Sequence, residues 1–180
     1  MLTLSITYFR LMGGETQNSA GSVFMVRPAA FAMNEQTAVD NMYQIQNSKL
    51  SLEQAQTQAV QEFDGFVEIL REHGITVHVI QDDLENFTPD SIFPNNWISM
   101  HSDGSIIMYP MKAENRRLER RKDIYDLLTS WGYCHSPDKI LDLSPEENKG
   151  VFLEGTGSIV FDHDCKIAYM ARSQRADERA

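Results

Sequence analysis

Long apolar runs are absent from this chain. No stretch approaches the roughly 18 residues that a membrane helix needs. Cysteine is scarce: only Cys134 and Cys165 occur, without metal-ligand spacing and too few for a disulfide framework, which suits a reducing, cytoplasmic setting. Basic residues are outnumbered, 16 against 26 acidic, and a net charge of −10 argues against nucleic acid or an anionic membrane as the main partner. Clusters of metal ligands and glycine-rich phosphate loops are missing too, so no cofactor or metal is expected. The opening MLTLSITYFRLM is too polar for a secretory signal and lacks its early positive charge.

What is present suits a packed domain: 180 residues, 42% hydrophobic and 23% charged. Residues 1–21, ending in the small-polar linker GGETQNSAGS, read as a disordered leader or an upstream extension, with the fold running over 22–180. SVFMV is a continuous apolar strand, followed by an amide-rich loop, RPAAFAMNEQTAVDNMYQ. Ser51 and Gln54 have the spacing of a capping box. Apolar residues at Leu52, Ala55, Ala59, Phe63, Phe66, Ile69 and Leu70 then keep a helical period up to His73-Gly74. ITVHVI alternates as a strand. A second helix is expected from Glu114 to Gly132, with Leu118, Ile124, Leu127, Leu128 and Trp131 on its apolar face. The fold class is therefore α+β.

The chain repeats itself. A helix, a strand, an acidic loop, IFPNNW and the hairpin ISMHSDGSIIMY are followed by a second helix, strand and acidic loop, then GVFLEGTGS and the hairpin IVFDHDCKIAYM. Gly74 and Gly132 lie 58 positions apart, Phe93 and Phe152 lie 59 apart, and the hairpin turns about 61 apart. A period near 60 indicates a repeated unit, here strand, strand, helix, strand.

Asp90, Asn95, Asn96 and Glu154 fall at corresponding corners of this unit, where a symmetric fold would aim them at one centre. A carboxylate only accepts hydrogen bonds and a guanidinium only donates them, so such acids suit a guanidino group. An amide does both, and so Asn95 and Asn96 suit a neutral ureido group. Ordinary turn chemistry is the alternative for Asp90 and the asparagines, and a turn acid for Glu154.

PDSIFPNNW and FLEGTGS resemble segments of the pentein superfamily of arginine deiminases, dimethylarginine dimethylaminohydrolases and amidinotransferases. FPNNW and MVRPAAFAMNEQTAVDNMYQ are most similar to its citrulline-utilisation hydrolase branch. The resemblance implies an α/β propeller of ββαβ units around a substrate channel, of which this chain holds about two repeats and the start of a third, the N-terminal part of the domain. It also implies cysteine attack on a guanidino or ureido carbon. Asp90, Phe93, Asn95 and Asn96 fall on the family's Asp-x-x-Phe-x-acid-acid run, with amides replacing both later acids, which favours a ureido substrate. Glu154 falls on its Leu-acid-Gly element, making it the partner of the reacting group. Arg175 falls on a Ser-x-Arg element, and Arg116 and Arg117 on an Arg-Arg-x-Glu run, positions that would clasp an amino-acid α-carboxylate. Their bland alternatives are a frayed tail and, with Arg120, Arg121 and Lys122, a solvated helix start.

The family's histidine base and cysteine nucleophile come later in the chain than any residue here. His73, His78, His101, His135 and His163 fall on a helix cap, a strand, turns and a loop, and Cys134 and Cys165 on a loop and a turn. The expectation is therefore a C–N hydrolase acting on citrulline, arginine or methylated arginine, with these 180 residues inactive by themselves. An amidinotransferase, or a truncated binding module without chemistry, is the alternative. The expected partner is a small amino-acid substrate.

Overall fold

The computed structural model of the protein describes residues 7–9, 20–38, 41, 50–134, 136–163 and 165–180. They divide into two compact units between Pro94 and Asn95. The first is built on three strands, β1 (Thr7–Phe9), β2 (Ser22–Arg27) and β3 (Thr76–Gln81), in that spatial order. β2 is central, and Ser22 through Val26 are all buried. That burial explains its unbroken apolar run, which a strand covered on both faces requires. β1 lies antiparallel to β2, and β3 runs parallel to it with Ser22 opposite Thr76.

A parallel neighbour needs a crossover. The short α1 (Glu35–Ala38) and the long α2 (Leu52–Glu72) lie in that connection. α2 opens with the expected box: Gln54 N donates to Ser51 Oγ at 3.1 Å, and Ser51 N to Gln54 Oε1 at 2.9 Å. Beyond its end Gly74 adopts φ 79°, a conformation that favours glycine. The buried face of α2 is Ala59, Phe63 and Val67, of which Phe63 and Val67 pack with Val23, Met25, Val77 and Ile92 into one core. Leu52 and Ile69, expected on that face, are exposed instead. At ~100° per residue, Ile69 points about 200° away from Val67.

Within residues 1–21, expected as a disordered leader or an upstream extension, Thr7–Phe9 pairs with β2 as an edge strand of the first sheet. The rest of the leader before Ala20 lies outside the described residues.

The second unit repeats the topology. β4 (Ile98–Met100) and β5 (Ile106–Met108) form a hairpin, and β6 (Ile140–Asp142) returns parallel to β5. Between them lie α3 (Glu114–Arg117) and α4 (Ile124–Ser130). The single helix expected over 114–132 is thus broken, and Leu118 is exposed. The run RRLERRK causes the break, because its arginines bind acids in several directions and no helical stripe satisfies them all: Arg116 pairs with Glu119, Arg120 with Glu147 and Arg121 with Asp123. Arg120 is thereby a half-buried, paired group, contrary to the solvated reading. Gly132 closes the segment at φ 80°, matching Gly74.

After a turn over Ser144–Lys149 come α5 (Gly155–Ser158) and a further hairpin, β7 (Ile159–Asp162) and β8 (Ile167–Met170). Ile98 and Ile159, which open the two hairpins, are 61 positions apart. The result is a mixed α+β fold of small sheets in which strand, strand, helix, strand occurs twice and its first two strands a third time. Cys134 is buried and Cys165 exposed, and both are free thiols. His135, expected in a loop, lies outside the described residues. No helix among the described residues is long and apolar enough to cross a membrane.

His101 follows β4 and its Nε2 lies 2.9 Å from Ser99 Oγ. Burial pushes its pKa below the ordinary value, aided by the nearby His163, while Asp103 works in the opposite direction. The unfolded chain therefore takes up this proton first as pH falls. Stability is whole above the unfolded value of about 6.5 and declines as pH drops through it. His78 is depressed by burial in the same sense. Replacing His101→Asn flattens the pH dependence of the urea midpoint between about pH 7 and 5; an unchanged slope would exclude His101 as its source.

Candidate functional site

Asp90 belongs to the first unit. The segment before it turns twice, with Ser91 N donating to Thr88 O at 3.1 Å and Phe93 N to Asp90 O at 2.9 Å. The carboxylate is 7% exposed. Its Oδ2 accepts from Asn34 Nδ2 at 2.7 Å and from Thr37 Oγ1 at 3.1 Å. Asn34 itself starts α1, accepting from Gln36 N through Oδ1 at 3.1 Å. Sequence reading passed over Asn34 and Thr37. They stand 56 and 53 positions from Asp90, in a segment whose sequence reads as a loop, and their only local signal is an asparagine at helix-cap spacing. Phe93 is half-buried and packs on the core of this unit.

Asn95, Asn96, Glu154, Arg116, Arg117 and Arg175 all belong to the second unit. There the turn at 155–158 lies directly on the Asn95–Asn96 backbone. Thr156 Oγ1 donates to Asn95 O at 3.2 Å and accepts from Asn95 Nδ2 at 2.9 Å. Since the hydroxyl proton already goes to the carbonyl, the amide must face it with its NH2. Asn95 Oδ1 is left buried without a hydrogen-bond partner. A Cβ on Gly155, whose φ is 29°, would overlap Asn95 O and lie 2.9 Å from Asn96 O. One on Gly157 would overlap the Asn96 side-chain amide. Gly155 is therefore required by the close approach of backbone, whereas at Gly157 the Asn96 side chain would have to move aside.

Glu154 precedes that turn and is 1% exposed. Its N–H donates to Arg175 O at 3.0 Å. Lys112 N donates to Oε1 at 3.2 Å, and Arg175 Nη1 lies 3.4 Å from Oε2. A deeply buried carboxylate is thus held by one backbone N–H and one guanidinium, the pairing that burial of a charge demands. Arg116 is engaged elsewhere: its guanidinium meets Glu119 through two bonds of 2.9 Å, both side chains being almost wholly buried. Arg117 donates to the carbonyls of Met111 and Lys112 at 2.9 and 3.0 Å and sits 5.7 Å above the Phe152 ring.

A family model described as N,N dimethylarginine dimethylhydrolase, eukaryotic, matches residues 27–180. The chain belongs to that family. It therefore lies in the pentein superfamily that the sequence resembles, and covers its N-terminal half. Among solved structures, dimethylarginine dimethylaminohydrolase from Pseudomonas aeruginosa, complexed with citrulline, is 18% identical with a TM-score of 0.58, over 87% of this chain and 52% of that one. The N-terminal domain of ArgZ, a substrate-bound cyanobacterial arginine dihydrolase, gives 15% and 0.58 over 88% and 51%. AgrE, in complex with ornithine and NAD+, gives 17% and 0.58 over 88% of this chain and 20% of its own. At such identities the likeness is one of fold. The chain spans about half the length of the first two and a fifth of the third. No curated protein matches it.

The glycine turn and the buried acid can be tested by unfolding, with the glycine of α2 as a contrast. Gly155→Ala destabilises the chain by about 1–3 kcal/mol in urea unfolding. Gly65→Ala, in the open interior of α2 where nothing lies within 4 Å, stabilises it by about 0.5–1 kcal/mol. Removing the guanidinium in Arg175→Ala weakens the satisfaction of Glu154 and costs about 1–3 kcal/mol at neutral pH. Adding Glu154→Gln restores part of that loss, and full additivity of the two changes would show that they do not interact.

Proposed function

We propose that this chain carries substrate-recognition residues of a C–N hydrolase acting on the guanidino or ureido group of arginine, a methylated arginine or citrulline. The observation that carries the reading is buried Glu154 meeting the guanidinium of Arg175 at 3.4 Å. The acid already accommodates the functional group that an arginine-type substrate would present. Fold neighbours crystallised in complex with citrulline, arginine and ornithine support the same substrate class.

In this reading a cysteine thiolate attacks the guanidino or ureido carbon. A C–S bond forms, and the bond to nitrogen breaks as a paired histidine protonates the departing ammonia or amine. Water then hydrolyses the adduct. Glu154 orients the substrate N–H groups and polarises the carbon by accepting their hydrogen bonds. Asn95 Oδ1, buried and unpartnered, adds a neutral acceptor. With Asn96 it favours an uncharged ureido group over a guanidinium, because two carboxylates would otherwise stand there. Arg117 is assigned the substrate α-carboxylate, with Arg116 supporting it through its pair with Glu119, and Arg175 joins it once the substrate takes its place on Glu154. The units form part of an α/β propeller.

The nucleophile is assigned to residues outside these 180. Cys134 is buried. Cys165 sits at the far end of β7 from Glu154, about 13 Å along a four-residue strand. The test is to incubate this chain, and separately the complete gene product, with citrulline, arginine and dimethylarginine while measuring ammonia, amine, ornithine and citrulline. The complete product turns over at least one substrate, and Glu154→Gln lowers kcat/KM about 100-fold or more. The chain alone turns over none. Failure of the complete product on all three overturns the hydrolase. Turnover by the chain alone overturns the assignment of the nucleophile. Turnover of arginine with none of citrulline overturns the ureido role of Asn95 and Asn96.

A further inference from the structure

The turns of the β4–β5 and β7–β8 hairpins meet in a side-chain cluster that hydrolysis does not use. His101 lies edge-on to Phe161, with ring centres 5.1 Å apart and planes at 87°. His163 stacks on Phe161 at 5.9 Å and 25°, and lies 5.5 Å from His101. From behind, His101 Nε2 meets Ser99 Oγ at 2.9 Å, which in turn meets Tyr109 OH at 2.7 Å. Ser99 and Tyr109 are buried, so the imidazole is fixed in orientation. A cavity of about 320 Å³ opens between the turns, lined by these rings together with Ile107, Ala168 and Lys166. That volume is at the small end for ligand sites.

Two features of this cavity bear on what it could hold. The first is the set of donors on its edge. It brings together the Lys166 ammonium and two imidazoles, beside the Asp162 carboxylate. Of the nearby acids, Asp162 accepts from Cys165 N at 2.9 Å, and Asp103 accepts from Ser105 N and Oγ at 2.9 and 2.6 Å. The second is Lys166 itself, which has φ 55° and is the one non-glycine residue of positive φ among the described residues. A side chain there costs about 1 kcal/mol or more relative to glycine. A lysine retained at a position that glycine would fill more comfortably points to a use for its ammonium. The walls add the rest of the specification, since near-parallel rings and aliphatic side chains offer a flat apolar surface on which an aromatic ring can stack.

We propose that this cavity binds a small aromatic carboxylate, its ring against Phe161 and His163 and its carboxylate on Lys166 and the imidazole N–H groups. The site is independent of the hydrolase reading, since none of its residues has a role there. The probe is benzoate, titrated into the full chain and followed by amide chemical shifts. Saturable shifts are expected across 101–107 and 161–168. Lys166→Gly keeps the turn, because glycine prefers that φ, and weakens binding about fivefold. His163→Gln weakens it as well, and benzyl alcohol, which has the ring without the charge, binds more weakly than benzoate. Three outcomes overturn the proposal: no saturable shift in these residues, equal binding of benzyl alcohol, or unchanged affinity in the Lys166→Gly chain. Equal shifts with inorganic phosphate would also overturn it, marking a site that reads charge without the ring.

Discussion

The close approach of two backbones, residues 155–157 against Asn95 and Asn96, is the constraint on which the second unit's acid depends. Gly155 leaves no room for a side chain against the two backbone carbonyls, while Gly157 faces the Asn96 side-chain amide. The contact is sealed by Thr156, which both donates to and accepts from the same asparagine. Glu154 enters this turn on the buried side, so its depth is fixed by main-chain geometry. Lys112 N and Arg175 then meet a carboxylate whose position is already decided. Such an order of causes suits a group that must be held in place against the pull of water on its charge.

Arginine pairing recurs throughout this acidic chain. Glu119, Glu147 and Glu154 are all nearly inaccessible as side chains, and each has an arginine: Arg116, Arg120 and Arg175. The planar guanidinium meets a carboxylate with two parallel bonds and is less strongly hydrated than an ammonium, so it follows an acid inward at lower cost. Arginines that invite assignment to a ligand can therefore be structural partners first. Arg116 is the clearest case, with both of its bonds to Glu119 shielded from solvent.

Much of the fold was legible in the sequence because it is written locally. The capping box at Ser51, the left-handed glycines at 74 and 132, and the two hairpins 61 positions apart are short-range signals, and the structure reproduces them. The failures are long-range. Periodicity over 114–132 predicted one helix, but Arg120 answers to Glu147, 27 positions on, and the helix breaks. β1 gains its place from β2, across a linker without pattern of its own. The same holds for the site. Asp90 and Glu154 could be picked out as acids at equivalent corners, whereas Asn34 and Thr37 are tied to Asp90 only by folding. The orphaned Asn95 oxygen follows from which way one hydroxyl points, a matter on which sequence has no bearing.

The unequal burial of the two thiols has a practical side. Cys134 is 5% exposed behind α4, while Cys165 stands in solvent at the tip of the last hairpin. Alkylating reagents reach thiolates in proportion to their access. A fluorophore or spin label added to the native chain would thus mark a single spot, next to the ring cluster, with no cysteine engineered in or out. Unfolding would unveil the second sulfur, so the count of labels per molecule becomes a direct gauge of how much of the population has opened.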